Sequence, residues 1–142
     1  MGGWAEEVWY SRYQIAVLHE RRGDWNRALP AYLGAFQYRP TRLEPLCELA
    51  RHYRVAGEHA VAHLFASAAV DHPAPTDILF LDDSVYAWRI LDEYAISAYW
   101  VGKYEESLRA NDRLLAEGKL PATERLRIEK NRAFSVGKLR PG

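Results

Sequence analysis

Three glycines, Gly23, Gly57 and Gly102, each follow an apolar helical pattern and precede another, and the first two stand 34 residues apart. The first unit reads Tyr13-Gln14-Ile15-Ala16-Val17-Leu18-His19, then Gly23-Asp24-Trp25-Asn26-Arg27-Ala28, then Tyr32, Ala35 and Pro40. The second reads Leu46, Leu49-Ala50, Tyr53, Gly57-Glu58-His59-Ala60-Val61-Ala62, then Ala66, Ala69 and Pro73. Apolar residues at intervals of three and four on both sides of a glycine predict two antiparallel helices and a tight turn. A hairpin of that length cannot cover its own apolar face, so a repeated one has to stack on its neighbour.

These strings resemble the tetratricopeptide repeat. The resemblance implies an all-α fold, a right-handed superhelical stack of about three and a half antiparallel helix pairs in a single domain over 1–142. The repeats fall at about 9–40, 41–73 and 84–118, with an insert at 74–83 and a capping helix at 121–137. Pro40 ends the first pair, because it cannot continue a helical hydrogen-bond ladder, and Pro30 should kink or shift the helix that contains it while the register survives. Thr41-Arg42-Leu43-Glu44 has capping-box spacing, which predicts that Thr41 and Glu44 satisfy amides at the start of the second pair. From Gly57 to Gly102 the interval is 45, and the surplus falls at Pro73 to Asp83. Ile78, Leu79, Phe80 and Leu81 are too apolar to stay in water, so the insert should dock on the stack with Phe80 buried, and Asp82 or Asp83 should cap the following helix. Ser107 and Asn111 replace apolar residues in the third pair, which should be the loosest. In the last helix Leu126, Ile128, Ala133 and Phe134 are expected to form one apolar stripe.

Nineteen basic residues balance nineteen acidic ones, so no global charge draws the chain to nucleic acid or a membrane. Locally, residues 74–118 carry nine acids against four bases, while 119–142 carry seven bases against two acids. Cys47 is the only cysteine and cannot form an internal disulfide. No apolar run approaches the roughly 20 residues that cross a bilayer, and the first residues lack a signal-peptide pattern, so a cytoplasmic location is expected. The dense helical middle between Met1-Gly2-Gly3 and Arg140-Pro141-Gly142 reads as an excised piece of a longer protein.

Other strings are more particular: Arg39-Pro40-Thr41-Arg42-Leu43-Glu44-Pro45-Leu46, Glu48-Leu49-Ala50-Arg51-His52-Tyr53-Arg54, Asp77-Ile78-Leu79-Phe80-Leu81-Asp82, Tyr86-Ala87-Trp88-Arg89, Asp92 to Trp100, and Asn131-Arg132-Ala133-Phe134. Together they resemble the helical region that follows the catalytic domain in a group of bacterial family-2-like glycosyltransferases. That resemblance implies an accessory scaffold beside a catalytic domain that binds the sugar nucleotide and metal elsewhere. Helix capping accounts for Asp82-Asp83 without a metal.

In tetratricopeptide stacks the first helix of each pair lines the concave face, so the resemblance nominates Tyr10, Tyr13, Val17 and Glu20, then Cys47, Glu48, Arg51 and Arg54, then Arg89, Asp92, Glu93, Ile96, Tyr99 and Trp100, with Asn131 from the cap. The ligand-binding set chosen is Tyr13, Arg51, Arg54, Arg89, Asp92, Tyr99 and Trp100. Rings interleaved with charges suit a peptide through stacking and charge-assisted hydrogen bonds, or alternatively an acceptor glycan; equally, the charges could pair internally. The carboxylate clamp of some co-chaperone repeats is missing, since Tyr13, Val17, Glu48, Arg89 and Glu93 stand at those places. His59 and His63 have chelating spacing but no third ligand, and Cys47 has no partner base. The expectation is a non-catalytic protein-interaction scaffold with no cofactor and no metal, binding a protein or peptide partner or a glycosyltransferase domain.

Overall fold

The computed structural model describes residues 2–77 and 79–141, and every regular element among them is helical. In chain order these are α1 (Gly2–Arg21), α2 (Trp25–Tyr38), α3 (Glu44–Val55), α4 (His59–Val70), α5 (Ile90–Trp100), α6 (Tyr104–Glu117) and α7 (Arg125–Leu139). A π-helical turn, Val85–Arg89, leads into α5, and a 3₁₀ turn, Ala122–Glu124, leads into α7. Helices α1 and α2, α3 and α4, and α5 and α6 pack as hairpins, while α2 touches α3, α4 touches α5 and α6 touches α7. The first helix starts at Gly2, well before the Trp9 repeat boundary.

The three repeat glycines close their hairpins identically. Gly23, Gly57 and Gly102 have φ of 75°, 76° and 85°, the left-handed region in which a Cβ is strained. Each amide donates to the carbonyl three residues back, and the next residue donates to the carbonyl five back: Asp24 N to His19 O at 2.9 Å, Glu58 N to Tyr53 O at 2.8 Å and Lys103 N to Ala98 O at 2.8 Å. That double closure is a Schellman motif, and it satisfies carbonyls that a helix end leaves open. Asp24 Oδ1 accepts the Arg27 amide and caps α2, which runs unbroken through Pro30. Both Pro30 and Asn26, whose carbonyl loses its partner there, lie on the exposed side, so water can take the bond.

The core follows the stack. Trp9, Tyr13, Ala16, Ala28, Tyr32, Ala35 and Leu49 fill the space between the first pair and α3. Leu43, Leu46, Cys47, Ala69, Val85 and Ile90 form a second cluster, and Leu91, Ala95, Ala110, Leu114 and Ile128 a third, reaching α7. In the third pair Ser107 is buried but satisfied, donating to Ala95 O at 2.8 Å and accepting from Ser135 Oγ at 3.0 Å. Asn111 is 1% exposed, and neither its Oδ1 nor its Nδ2 has a partner.

Three expectations need correction. The Thr41–Glu44 capping box does not form: Leu43 is the residue before α3, without a side-chain cap, and Pro45 occupies the first turn, where no amide is needed. Glu44 instead accepts from two nitrogens of buried Arg42, Nε at 3.2 Å and Nη2 at 2.7 Å, and from the Tyr86 hydroxyl. The insert docks, but through polar anchors. Arg42 Nη1 donates to Asp77 Oδ2 and to Leu79 O, Arg42 Nη2 donates to Phe80 O, Arg39 Nε donates to Asp77 Oδ2, and the Leu79 amide donates to Glu6. Phe80 remains 47% exposed and only stacks its ring on Tyr10, centroids 4.2 Å apart, with its own φ at 58°; Ile78 lies outside the described residues. Asp82 does cap the helix that follows, accepting the Ser84 amide and hydroxyl. Finally, α7 buries only Ile128 and Ser135, while Leu126 is 62% and Phe134 60% exposed. The last helix of the stack is covered on one side only, by α6 and by Leu91 and Ala95 of α5, and hence has one narrow buried stripe.

Candidate functional site

The odd-numbered helices share one face and are tied across it by ion pairs. Arg51 Nη2 on α3 donates to both oxygens of Glu20 on α1 at 2.7 Å, and Arg51 Nε donates to Glu48 Oε2 at 2.8 Å. Arg89, in the π-helical turn, donates to Glu48 Oε1 at 2.7 Å. Arg54 on α3 donates to Glu93 on α5 at 2.8 and 3.0 Å, and Arg127 on α7 grips Asp92 on α5 with two nitrogens, at 2.8 and 3.2 Å. Planar guanidinium groups against carboxylates make directional pairs, and the Arg51–Glu20, Arg54–Glu93 and Arg127–Asp92 pairs also fix the spacing of two helices.

Burial raises the carboxyl groups of Asp92 and Glu93 above their ordinary range, although Arg127 and Arg54 pull each one back. Glu20 goes the other way: burial would raise it, but hydrogen bonds from Arg51 and Tyr32 outweigh that and hold it low. The arginines of this face are therefore already engaged, and a ligand would meet neutralised pairs together with their unused donor edges.

Above the ladder lie three adjoining clefts. The central one, about 540 Å³, is lined by Arg51, Arg54, Arg89, Asp92 and Glu93 on its floor, with Trp88, His59 and Trp100 as its aromatic walls. It adjoins a second of about 490 Å³ at Arg51, where Tyr13, Val17, Glu20 and Glu48 contribute. At Ile96, Trp100 and Asn131 it meets a third, apolar cleft of about 250 Å³ that Ala95, Tyr99, Ser107 and Phe134 complete. Trp100 is 63% exposed, its ring stacked on His59 with centroids 4.9 Å apart.

All seven nominated residues thus line this run of clefts: Arg51, Arg54, Arg89, Asp92 and Trp100 in the central one, Tyr13 at one end and Tyr99 at the other. They are not equivalent. Tyr13 is mostly core, stacked on Trp9 with centroids 5.1 Å apart, and burial drives its phenol above the ordinary range. Cys47, nominated by the same register, is buried in the second core cluster and offers no groove surface; burial pushes its thiol up, away from nucleophilic character. Register missed Trp88, His59, Arg127 and Phe134. The last two were accessible from the sequence, because they sit four before and three after Asn131 on the same helix and so share its face. His59 and His63 do not converge: His63 Nδ1 meets Ser97 Oγ at 2.9 Å, and burial with nearby Lys103 keeps that ring toward its neutral form. Among the described residues no three His, Cys, Asp or Glu side chains gather as a metal site, and no helix is long and apolar enough to cross a membrane.

No protein-family model matches the chain, and no curated protein matches it either.

Proposed function

We propose that the chain is a non-catalytic, tetratricopeptide-like interaction module, its three and a half helix pairs coiled as a right-handed superhelix whose concave side is the face built by α1, α3, α5 and α7. On this reading it holds a segment of a partner protein along that face. The observation that carries the reading is the continuity of the three clefts, which share lining residues from α1 to α7 and so offer an extended track rather than an isolated cavity. Internal pairing of the arginines favours a polypeptide, because a chain carries its own backbone donors and acceptors and needs no uncompensated charge from the groove. A role beside a glycosyltransferase catalytic domain follows from the sequence resemblance alone.

The test is selection of random dodecapeptides on the immobilised chain, followed by titration of the enriched peptides. Arg51→Gln with Arg89→Gln should weaken binding at least tenfold, whereas Arg27→Ala with Arg109→Ala, on second helices, should not. Circular dichroism on both variants separates loss of binding from loss of fold. The same preparation should neither hydrolyse nor transfer a sugar nucleotide, with or without a divalent metal; turnover would replace this reading with an enzymatic one.

A further inference from the structure

The apolar cleft at the α5–α7 end differs chemically from the other two. Its walls are Ala95, Ile96, Tyr99, Trp100 and Phe134, and its volume of about 250 Å³ suits one large side chain. Its two lips, Trp100 and Phe134, are the kind of large rings that a chain leaves in water at a cost unless something covers them. Tyr99 braces the wall, edge-on to Phe134 at 6.3 Å and to Tyr104 at 5.5 Å between centroids.

Beside this apolar opening, on α7, stand cations that no carboxylate neutralises. Lys130 and Lys138 stand one helical turn before and after Phe134 on α7, both exposed. Lys138 Nζ lies 6.0 Å from the centre of the Tyr104 ring, which stands edge-on to Tyr99 in the cleft wall. Neither lysine makes an ion pair with a carboxylate among the described residues, whereas the neighbouring arginines Arg125, Arg127 and Arg132 are all paired, with Glu129, Asp92 and Asp112. Lys130 and Lys138 therefore carry charge that no carboxylate neutralises, one turn either side of Phe134, a lip of the cleft.

The geometry points to a specificity pocket for a partner segment in which a large apolar side chain is flanked by aspartate or glutamate: the side chain enters between Trp100 and Phe134, and the flanking carboxylates meet Lys130 and Lys138. This rests on the groove reading above and adds to it the chemistry of the ligand. Aromatic anchors concentrate binding energy, and unpaired lysines at the rim raise the association rate and select the sign of the partner.

The probe is a random nonapeptide display library panned on the full chain, with fluorescence anisotropy of the enriched peptides afterwards. Enriched peptides should carry Phe, Trp, Leu or Ile with acidic residues within four positions of it. Trp100→Ala with Phe134→Ala should weaken them at least tenfold, and Lys130→Glu with Lys138→Glu should do the same while improving peptides with basic flanks. All four side chains are exposed, so the thermal midpoints should hold. Enrichment of basic flanks, equal binding to both double variants, or a dimer that Trp100→Ala with Phe134→Ala dissolves would each overturn the inference. If peptides bind with loss only on Arg51→Gln with Arg89→Gln, the groove reading survives and this pocket does not; if none is enriched, both fall.

Discussion

Arg42 shows how a single residue can reverse what its neighbours' chemistry suggests. Read as part of a capping box it would be a bystander, yet it is fully buried, bound to Glu44, Asp77 and two carbonyls of the insert, and lies 3.7 Å from the centre of the Trp9 ring. The expectation that Phe80 anchors the insert failed because apolarity alone cannot tell which residue of a short loop is seated; an arginine able to collect two loop carbonyls decided it. Removing one partner of a buried ion pair strands the other charges, which costs about 3–5 kcal/mol. Arg42→Ala should therefore lower the urea midpoint far more than Phe80→Ala, for which half-burial and one ring stack predict only about 1–2 kcal/mol. A larger loss from Phe80→Ala would return the anchor to the apolar side chain. Asn111 is the opposite case, a buried amide without partners. Unpaired buried polar groups cost about 1–3 kcal/mol, so Asn111→Leu, which keeps the side-chain heavy-atom number, should raise the midpoint by an amount on that scale, and a fall would show that the amide is satisfied.

At the level of helices, the turns were the legible part. Glycine at Gly23, Gly57 and Gly102 announced three left-handed closures, and the identical hydrogen-bond pattern at each explains why the residue and its position recur together. No atom lies within 4 Å of a Cβ built at Gly57 or Gly102, so substitution there tests backbone conformation alone. Gly57→Ala and Gly102→Ala should each cost about 1–2 kcal/mol. Gly34→Ala, inside α2 and equally unobstructed, should instead stabilise by about 0.5–1 kcal/mol, because alanine loses less backbone entropy there. Equal effects at all three sites, read from thermal melts, would remove the conformational explanation. Helix starts were less legible. The hydroxyl and carboxylate of Thr41 and Glu44 fit a cap by spacing, but spacing says nothing of the long-range partner, Tyr86, that claims the carboxylate. Nor could periodicity show that α7 is covered on one side only, which is why Leu126 and Phe134 were expected in its buried stripe.

Across the whole molecule, register located the face and could not assign roles within it. The seven nominated residues all reach the same run of clefts because first-helix positions converge when hairpins stack, a consequence of the repeated helix–glycine–helix unit and of no single side chain. Whether a given arginine there is free or already paired depends on contacts between helices far apart in sequence, such as Glu20 with Arg51 and Asp92 with Arg127. The account's central claim is that this face, and not the one formed by α2, α4 and α6, receives the partner. Amide chemical-shift mapping of the labelled chain with a peptide from the library selection tests it directly. The account predicts perturbations along α1, α3, α5 and α7, largest around Arg51, Arg89 and Trp100, with the outward sides of α2 and α6 unchanged; shifts concentrated on the outward sides of α2, α4 and α6 would contradict it.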